Sequence, residues 1–597
     1  MRVKMFPDID MFGESEGGIR RVVEAYHEYA QPGIDYVGVD ELDYDLIAVH
    51  AGATTDIPHD KPFVLHLHGL YWTGDYEAAR HEYKENAALV HNLRLADVVT
   101  VPSHFVARSL RRDMRLEPII ASHGIKAREW VYRGPKEDYI LWNKNRTGDV
   151  CSPEPVSELA RRFRKQRFVT TFADEQGTRL PNVTVTGTMP HAEMRPLVQK
   201  SAVYLATTQE TFGIGVLEAM AAGTPILGFR QGALPEIVNR NCGYLAKPGD
   251  YDDLAHGLEV IRENYAAMSR ACVNVAMTYD WAFATERVRD AYKIAVARFN
   301  QPHTYSVVIP VYNKAHTVEQ TIRSVQMQTV SPDEIIVVDN NSTDDSYNVV
   351  SRLADEDKRI VIVNEPRQGV AHARNRGCGN ATSRYVVCLD GDDEIDPTFG
   401  EKCLATLRHN RDVGVAYTKL RVVDGDTRKD ATWPPEYQYD GFLRRFNQVP
   451  TCAMFRRELW ERLGGYRQRY APRGAGSEDA EFWLRMGAIG YRGMRVDETL
   501  FSYHTGGATS HPEYAEKDWL GWHPWTRDNL HPFASCASPV NHISHPVRSY
   551  DNPMVSVVIP VSPDHLELVM DALDSLEAQT FRNWEVIVML DGDNAAV

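Results

Sequence analysis

Residues 385–396 read YVVCLDGDDEID, an apolar run that leads directly into a cluster of carboxylates. The residues before Asp390 have the β-branched and apolar composition of a buried strand. The cluster that follows consists of Asp390, Asp392, Asp393 and Asp396. Four carboxylates so close together repel one another unless a positive charge lies beside them. Oxygen ligands favour Mg²⁺ or Mn²⁺, which leave coordination positions open for water and substrate phosphates. The stretch therefore predicts a strand end that binds a divalent cation, with a solvated acidic turn as the alternative.

The size and composition of the chain limit the classes of protein it can belong to. Its 597 residues exceed what one hydrophobic core serves, so we expect about three or four folded units. Apolar residues make up 43% and charged residues 25%, which is ordinary for globular domains. No apolar run is long enough to cross a bilayer, and the first residues lack the apolar core of a signal peptide. These features predict a cytoplasmic protein without a membrane segment.

Charge and cysteine content argue against nucleic-acid binding, a disulfide framework and a zinc site. The net charge of −16 disfavours nonspecific binding to nucleic acid. The eight cysteines are dispersed and contain no Cys-x-x-Cys pair, so neither a disulfide framework nor a zinc site is predicted.

Strand and helix patterns alternate through the first 300 residues. A helical pattern covers residues 18–29, and strand patterns lie at residues 3–6, 46–50, 63–68, 168–172, 183–187, 203–206 and 225–229. Such alternation favours parallel sheets with helices on both faces. We predict two doubly wound halves, residues 1–138 and 139–300, and a domain boundary near residue 302, after which a strand runs from residue 305 to 311.

A repeat connects two distant parts of the chain. The sequence SVVIPV begins at Ser306 and again at Ser556, a separation of 556 − 306 = 250 residues, which indicates a tandem domain duplication. The second copy, residues 553–597, is too short to bury a core. The chain is therefore predicted to be part of a longer protein or to end in a vestige. Residues 509–552, rich in His and Pro, are predicted to be an irregular extension, and Asp591 is assigned no metal because its position in the repeat corresponds to Asp339.

Two strand ends of the region after residue 302 are predicted to meet at one sheet edge. Asp339 follows one strand and Asp390 follows another, and ligands of open α/β sheets bind beyond the carboxyl ends of strands. Asp339 is suited to accept hydrogen bonds from a base or a ribose, and Asp392 is suited to hold a metal on a diphosphate. Arg374 either approaches the same phosphates or is an ordinary helix-surface arginine.

An acidic pair begins a predicted helix further along, in the sequence SEDAEFWLR at residues 477–485. Acidic residues in a first helical turn commonly cap the helix. A carboxylate aimed into a crevice that holds an activated sugar would instead take a proton from an attacking hydroxyl. Both readings stay open on the sequence pattern alone.

Five motifs in order resemble the inverting glycosyltransferase family 2, which has the GT-A fold. They are SVVIPVYN at 306, VVDNNSTD at 337, GVAHARNRG at 369, LDGDD at 389 and SEDAEFWLRM at 477, within residues 303–508. The resemblance implies a nucleotide-diphosphate sugar donor held on Mn²⁺ or Mg²⁺. It assigns Asp339 to the nucleoside, Asp390 to the nucleotide sugar, Asp392 to the metal and Asp479 to the general base. His504 occupies the place of a further metal or diphosphate ligand in some relatives, with a structural histidine as the alternative.

A glycine-containing turn opens a helix in the first 300 residues. The run ETFGIGVLE spans Glu210 to Glu218, and a glycine such as Gly213 lets backbone amides approach a phosphate at the helix N-terminus. The two glutamates can flank that crevice, one toward sugar hydroxyls and one toward ribose. The alternative is a helix with an acidic first turn and glycines for tight packing.

Most of residues 1–300 resemble the retaining glycosyltransferase family 4, of GT-B fold, in residues 182–250 and in ADVVTVPSHFVARSL at 96 and ASHGIKAREW at 121. The resemblance implies that Glu210 and Glu218 form the donor-site pair and that Gly17 and Gly18 face the diphosphate. It also places His68 near the reacting sugar, with a histidine bound to backbone as the alternative. We take Glu210 and His68 as catalytic and the other residues, with Gly213, as donor-binding.

One departure from that family concerns the charge on the leaving diphosphate. Members usually supply a Gly-Arg and then a Lys-Gly in this strand-loop, whereas the loop WNKNRTGDVCSPEP at residue 142 offers Arg146 and Lys144 without a Lys-Gly. The leaving-group charge then has to be met by Lys144, by a helix N-terminus, or incompletely.

The sequence as a whole predicts a bifunctional glycosyltransferase with two sites that use nucleotide sugars. A metal-independent GT-B unit precedes a metal-dependent GT-A unit, and the acceptor is expected to be a glycan or glycoconjugate. One alternative is that only the GT-A half is catalytic and the GT-B half binds or scaffolds. Another is transfer to protein or to modified DNA bases.

Overall fold

The computed structural model describes residues 1–12, 18–58, 60–69, 82–144, 151–173, 180–187, 189–439, 447–467, 478–505, 555–561 and 584–590. The chain divides into two compact units, and each is described by itself. The larger holds residues 1–77 and 84–538, and the smaller holds residues 78–83 and 539–597.

The chain begins with a six-stranded parallel sheet, which we call the first sheet. Its strands are β1 (Arg2–Phe6), β2 (Asp35–Val37), β3 (Leu46–His50), β4 (Phe63–His66), β5 (Val98–Val101) and β6 (Ile119–Ile120). Their order is β2-β1-β3-β4-β5-β6. Its helices are α1 (Gly18–Glu28), α2 (Glu82–Leu95), α3 (His104–Met114) and α4 (Ala127–Trp130), with a 3₁₀ helix at Ile9–Phe12. Two apolar clusters bury strand residues of this sheet, as expected of a parallel sheet covered on both faces.

A second six-stranded parallel sheet follows, in the order β12-β11-β10-β7-β8-β9. Its strands are β7 (Glu137–Trp142), β8 (Arg167–Thr170), β9 (Val183–Val185), β10 (Ser201–Ala206), β11 (Ile226–Phe229) and β12 (Gly243–Ala246). Its helices are α5 (Glu154–Arg162), α6 (His191–Lys200), α7 (Ile214–Ala221), α8 (Leu234–Ile237) and α9 (Tyr251–Ala276). The next helix, α10 (Trp281–Phe299), returns to the first sheet, where Trp281 and Tyr292 pack in the same core as Val3 and Met5.

The third sheet has nine strands and mixed direction. Its strands are β13 (Tyr305–Val311), β14 (Glu334–Asp339), β15 (Ile360–Asn364), β16 (Tyr385–Cys388), β17 (Glu394–Ile395), β18 (Val413–Asp424), β19 (Thr427–Asp430), β20 (Met454–Arg456) and β21 (Arg492–His504). The order is β15-β14-β13-β16-β20-β18-β21-β17, with β19 paired to β18. Its helices are α11 (Val318–Gln326), α12 (Ser346–Glu356), α13 (Val370–Asn380), α14 (Phe399–His409), α15 (Arg457–Leu463) and α16 (Glu478–Ala488). The four strands β15, β14, β13 and β16 are parallel, and β20 adds to β16 antiparallel.

The predicted α/β class is confirmed, and the strands predicted at residues 46–50 and 305–311 have the predicted bounds. Other predicted strands shift by one or two residues at their ends. The part of the third sheet formed by β17 to β21, which is antiparallel except for the parallel pair β18 and β21, was not predicted. Its longest strand, β21, is only intermittently buried, so it lacks the continuous apolar run of a buried parallel strand.

The smaller unit contains a parallel strand pair, β22 (Val555–Val561) and β23 (Trp584–Leu590). In it Ser556 pairs with Glu585, as Ser306 pairs with Glu334 in the third sheet, so the repeat extends to the strand register. Asp591 and the extension predicted at residues 509–552 lie outside the described residues. Within the described part of the chain, no helix is both long and apolar enough to cross a bilayer.

Candidate functional site

The carboxylate cluster after β16 is neutralised in part by a buried arginine. Arg374, on α13, donates from Nη2 to Asp390 Oδ1 at 2.7 Å and pairs through Nη1 with Glu478 of α16. Its side chain is only 3% exposed, so it is not a helix-surface arginine. Burial opposes its charge, but Asp390 and Glu478 outweigh burial and raise the pKa of the guanidinium. Arg374 therefore joins the strand end to the first turn of α16.

A lysine provides the second internal cation. Lys314, just after β13, forms an ion pair with Asp392. Asp393 is buried and accepts the backbone N–H of His504 at 2.9 Å. Its pKa is raised well above the ordinary value, first by burial and then by repulsion from Asp390 and other carboxylates. The fourth carboxylate, Asp396, pairs with Arg421 of β18 at 2.5 Å. Three internal cations therefore contact the cluster.

The residues around Asp392 fit a divalent cation that shares its coordination sphere with a ligand. Within the residues described, no three His, Cys, Asp or Glu side chains converge as in a protein-only metal cage. The side chains of Asp392 and Asp390, which carry carboxylate oxygens, are instead 17% and 34% exposed. Mg²⁺ is commonly held by one or two carboxylates together with substrate phosphates and water. His504 Nε2 lies 2.9 Å from Glu394 Oε1, so its ring faces a neighbouring carboxylate.

Asp479 lies in the first turn of α16, beside Glu478 but with different partners. Its Oδ2 accepts from Thr451 Oγ1 at 2.8 Å and from Asn447 Nδ2 at 3.4 Å. Burial, followed by repulsion from Glu478, raises the pKa of this carboxyl. A carboxylate with a raised pKa is a better proton acceptor near neutral pH than an ordinary aspartate. The two members of the acidic pair therefore differ in their partners. Glu478 forms an ion pair with Arg374, whereas Asp479 accepts hydrogen bonds from neutral donors.

Strand register brings Asp339 to the same sheet edge. β13 lies between β14 and β16, with Val311 opposite Asp339 and Val308 opposite Cys388. Asp339 Oδ1 accepts the backbone N–H of Ser342 at 3.2 Å. The tertiary structure thus groups Asp339 with the Asp390 cluster along the carboxyl ends of neighbouring parallel strands.

In the first 300 residues the two predicted glutamates are each paired with a cation. Lys144 forms an ion pair with Glu210; burial opposes the lysine's charge, but Glu210 outweighs burial and raises its pKa. Arg21, on α1, donates to Glu218 Oε1 at 2.6 Å, and His191 Nε2 lies 3.2 Å from the same oxygen. Because α1 belongs to the first sheet and Glu218 to α7, the Arg21 pair spans the crevice between the two sheets.

The glycine positions agree with a turn that approaches a ligand. Gly213 has φ of 112°, a conformation that favours glycine, and it precedes the first residue of α7. Gly18 is the first residue of α1. Gly17 and Arg146 lie outside the described residues.

His68 lies in a line of histidines. Its Nε2 is 2.9 Å from His50 Nδ1, and its Nδ1 is 3.2 Å from His123 Nε2. Burial lowers the pKa of His68 to about 4, so the ring is neutral at physiological pH. Both ring nitrogens therefore have histidine partners, and the role of His68 beside a reacting sugar stays a prediction.

The sequence patterns did not identify Lys314, Arg21 and Thr451, which contact the predicted site residues Asp392, Glu218 and Asp479. Lys314 follows the strand SVVIPV and Arg21 follows the glycines of EGGIRR, so position beside a strand end or a glycine loop was an available signal. Thr451 gave no signal, because it reaches Asp479 only through the fold.

Comparison with known families agrees with this geometry. Residues 306–464 match the model of glycosyl transferase family 2, and residues 164–264 match that of glycosyl transferases group 1. Two separate segments of this chain therefore match glycosyltransferase family models. The matches confirm both predicted resemblances, one segment to family 2 and the other to group 1, which is family 4-like. Below, each part of the chain is named after the match that it contains. The family 2 module is built on the third sheet, and the group 1 module is built on the first two sheets.

Several curated proteins are similar to part of the chain. A hyaluronan synthase of Pasteurella multocida is 26% identical over 206 residues, which are 34% of this chain and 20% of that protein. The putative glycosyltransferase EpsE of Bacillus subtilis is 29% identical over 201 residues, 33% of this chain and 71% of that protein. The chain thus spans a fifth of the length of the first relative and more than two thirds of the second.

Two solved structures are similar at low identity. Staphylococcus aureus TarS in complex with UDP has a TM-score of 0.29 and 17% identity, covering 34% of this chain and 60% of that one. A sucrose-phosphate synthase from Thermosynechococcus elongatus has a TM-score of 0.41 and 15% identity, covering 50% of this chain and 99% of that one.

Proposed function

We propose that the chain transfers sugars from nucleotide-diphosphate donors to a glycan or glycoconjugate acceptor at two sites. One site is inverting and metal-dependent, in the family 2 module, and the other is retaining and metal-independent, in the group 1 module. The observation that carries the proposal is the grouping of the Asp390 cluster with Asp479, whose pKa is raised, through the Arg374–Glu478 bridge. The family matches support the reaction class.

In the family 2 module, Asp479 is proposed to accept the proton of the acceptor hydroxyl as that oxygen attacks the anomeric carbon. Thr451 orients the carboxylate by donating to Oδ2. Asp339 holds the nucleoside, and Asp392, with Asp390, holds the divalent ion. When bound, that ion offsets the negative charge that develops on the leaving diphosphate. Arg374 keeps Asp390 and α16 in a fixed relation, so the donor and the base are positioned together.

In the group 1 module, Lys144 and Arg21 are proposed to serve the leaving diphosphate. They lie at Glu210 and Glu218, the two residues proposed to bind the donor. Cations placed where charge develops lower the barrier to departure of the diphosphate. Arg21 thereby compensates for the Lys-Gly that the sequence lacks. Donor binding would require each cation to exchange its glutamate for a phosphate oxygen.

The proposal is tested by separating the two sites. Each candidate nucleotide sugar is screened for hydrolysis with and without EDTA, using the full chain and the separate variants Glu210→Ala and Asp392→Ala. We expect Asp392→Ala to abolish the EDTA-sensitive turnover and Glu210→Ala to abolish the EDTA-insensitive turnover. If Glu210→Ala changes the turnover of no donor, the group 1 module is a binding or scaffolding module and the bifunctional proposal fails.

Lys314 makes a specific prediction about metal binding. Because its ammonium occupies Asp392, a divalent ion has to displace it. We expect Lys314→Met to bind Mn²⁺ about tenfold more tightly in the absence of donor, since a competing cation is removed. Isothermal titration with Mn²⁺ measures this, and Lys358→Met, at an exposed position on the same module, is the matched control. Weaker binding by Lys314→Met would contradict the competition.

A further inference from the structure

The family 2 module meets the group 1 module through a buried arginine. Arg411, between α14 and β18, donates to Asp97 Oδ2 at 3.1 Å, to the carbonyl oxygen of Leu95 at 3.1 Å and to that of Lys61 at 2.5 Å. The side chains of Arg411 and Asp97 are only 11% and 9% exposed. Burial raises the pKa of Asp97 and lowers that of Arg411, while each opposes the effect on the other. The pair is therefore taken out of water at this junction.

A second group of contacts continues the same junction. Arg94 of α2 donates to the carbonyl oxygen of Gly490 at 2.5 Å, and the Tyr491 hydroxyl donates to the carbonyl oxygen of Arg94 at 3.1 Å. Arg462 of α15 donates to the carbonyl oxygen of Met114, at the end of α3, at 3.2 Å. Arg94 and Tyr491 are both buried. Each module thus donates at least one of these hydrogen bonds to the other.

The end of α10 contributes a third group. Arg298 donates to the carbonyl oxygen of Asp97 at 2.9 Å, and Arg384 donates to the carbonyl oxygen of Arg298 at 3.4 Å. The guanidinium of Arg411 lies 5.1 Å from the centre of the Phe299 ring. Asp97 thus accepts from both α10 and the family 2 module. We call the three groups of contacts together the arginine seam.

Contacts of this kind are unusual for domains that move independently. Interfaces between domains of one chain are generally polar and permit relative motion unless they are large and hydrophobic. A buried arginine that donates to a carboxylate and two carbonyls is satisfied in one geometry only, and a module that slides while keeping it covered would separate it from these partners. All the partners in the group 1 module lie in the helices and loops around the first sheet or in α10. The seam therefore joins the family 2 module to one particular half.

From these contacts we infer that the family 2 module and the first-sheet half of the group 1 module bind each other directly, as one body. The peptide at residues 300–303 then connects the two parts covalently, but their association does not depend on it. His68, which the resemblance places near the reacting sugar, belongs to the first-sheet half, so the seam fixes that half relative to the second site. A fixed distance keeps the local concentration of a shared acceptor high. The binding itself does not depend on which reaction either site performs.

The test separates binding from covalent linkage in the full chain. A recognition sequence for a specific protease is inserted between Gln301 and Pro302, both exposed, and the chain is cut to completion. We expect the two fragments to co-elute at the size of the uncut chain during size-exclusion chromatography. Fragments that separate at micromolar concentration overturn the inference.

Variants of the seam test whether these residues carry the binding. Arg411→Met and Asp97→Asn, each in the cleavable chain, are expected to weaken fragment association at least tenfold. The matched control is Arg408→Met, three residues away and exposed, which should leave association unchanged. Circular dichroism of each uncut variant establishes that it is folded, and either seam variant suffices if the other does not fold. Association unchanged in a folded seam variant overturns the assignment to this seam.

Discussion

Replacing Asp479 by asparagine is expected to lower kcat of the family 2 module by about 10²–10⁴-fold, because the amide cannot accept the proton of the acceptor hydroxyl. The hydrogen bond from Thr451 can be kept by the amide oxygen, so donor binding should change little. The measurement is steady-state transfer with the metal-dependent donor, with donor affinity determined separately by titration. Turnover of the metal-independent donor should be unaffected, since Asp479 belongs to the third sheet alone.

The control for this substitution is Asp355→Asn, because Asp355 is 90% exposed and lies on α12 of the same module. A pH profile gives an independent reading. The pKa of Asp479 is raised, so the wild-type rate should fall as the pH is lowered, and at a higher pH than an ordinary aspartate with a pKa of about 3.9 would give. A variant that retains the wild-type kcat would remove Asp479 from the role of base.

The second large effect concerns Arg374 and the stability of the family 2 module. Arg374→Met removes the cation shared by Asp390 and the buried Glu478. Removing one partner of a buried ion pair leaves an uncompensated charge, and this typically destabilises a protein by about 3–5 kcal/mol. We expect a loss of that size in the free energy of unfolding, measured by urea denaturation of the full chain with a fluorescence probe of the transition.

Arg376→Met is the matched control, because Arg376 lies two residues further along α13 and is exposed. Exposed substitutions of this kind usually change the free energy of unfolding by less than about 0.5 kcal/mol. Equal stability of the two variants would contradict the bridging role of Arg374. The double variant Arg374→Met with Glu478→Gln should recover part of the loss, since one of the two buried carboxylates left by Arg374→Met is then also neutral.

Much of the family 2 site could be predicted because its residues lie in short local patterns. The apolar strand before Asp390 and the one before Asp339 are visible in the sequence, and parallel strands place their ends at one edge. The acidic pair at the start of α16 was visible too. The different roles of its two members were not visible, because Glu478 and Asp479 are adjacent acidic residues. They differ only in their partners in the fold, which are Arg374 for Glu478 and Thr451 for Asp479.

The sequence by itself determined the two family resemblances, the α/β class and the carboxylate cluster, since each depends on composition and spacing within a few tens of residues. Only the tertiary structure decided which cation meets which carboxylate. Lys314 and Asp392 are 78 residues apart, and Arg411 and Asp97 are 314 residues apart. A charge pair between such distant positions leaves no local sequence pattern. From the sequence, any lysine or arginine of the chain is an equal candidate for the partner of a given carboxylate, and only the packing of the fold selects one. The sequence predicted a positive charge beside the strand end at Asp390. The fold brings Arg374 and Lys314 there from two other parts of the chain.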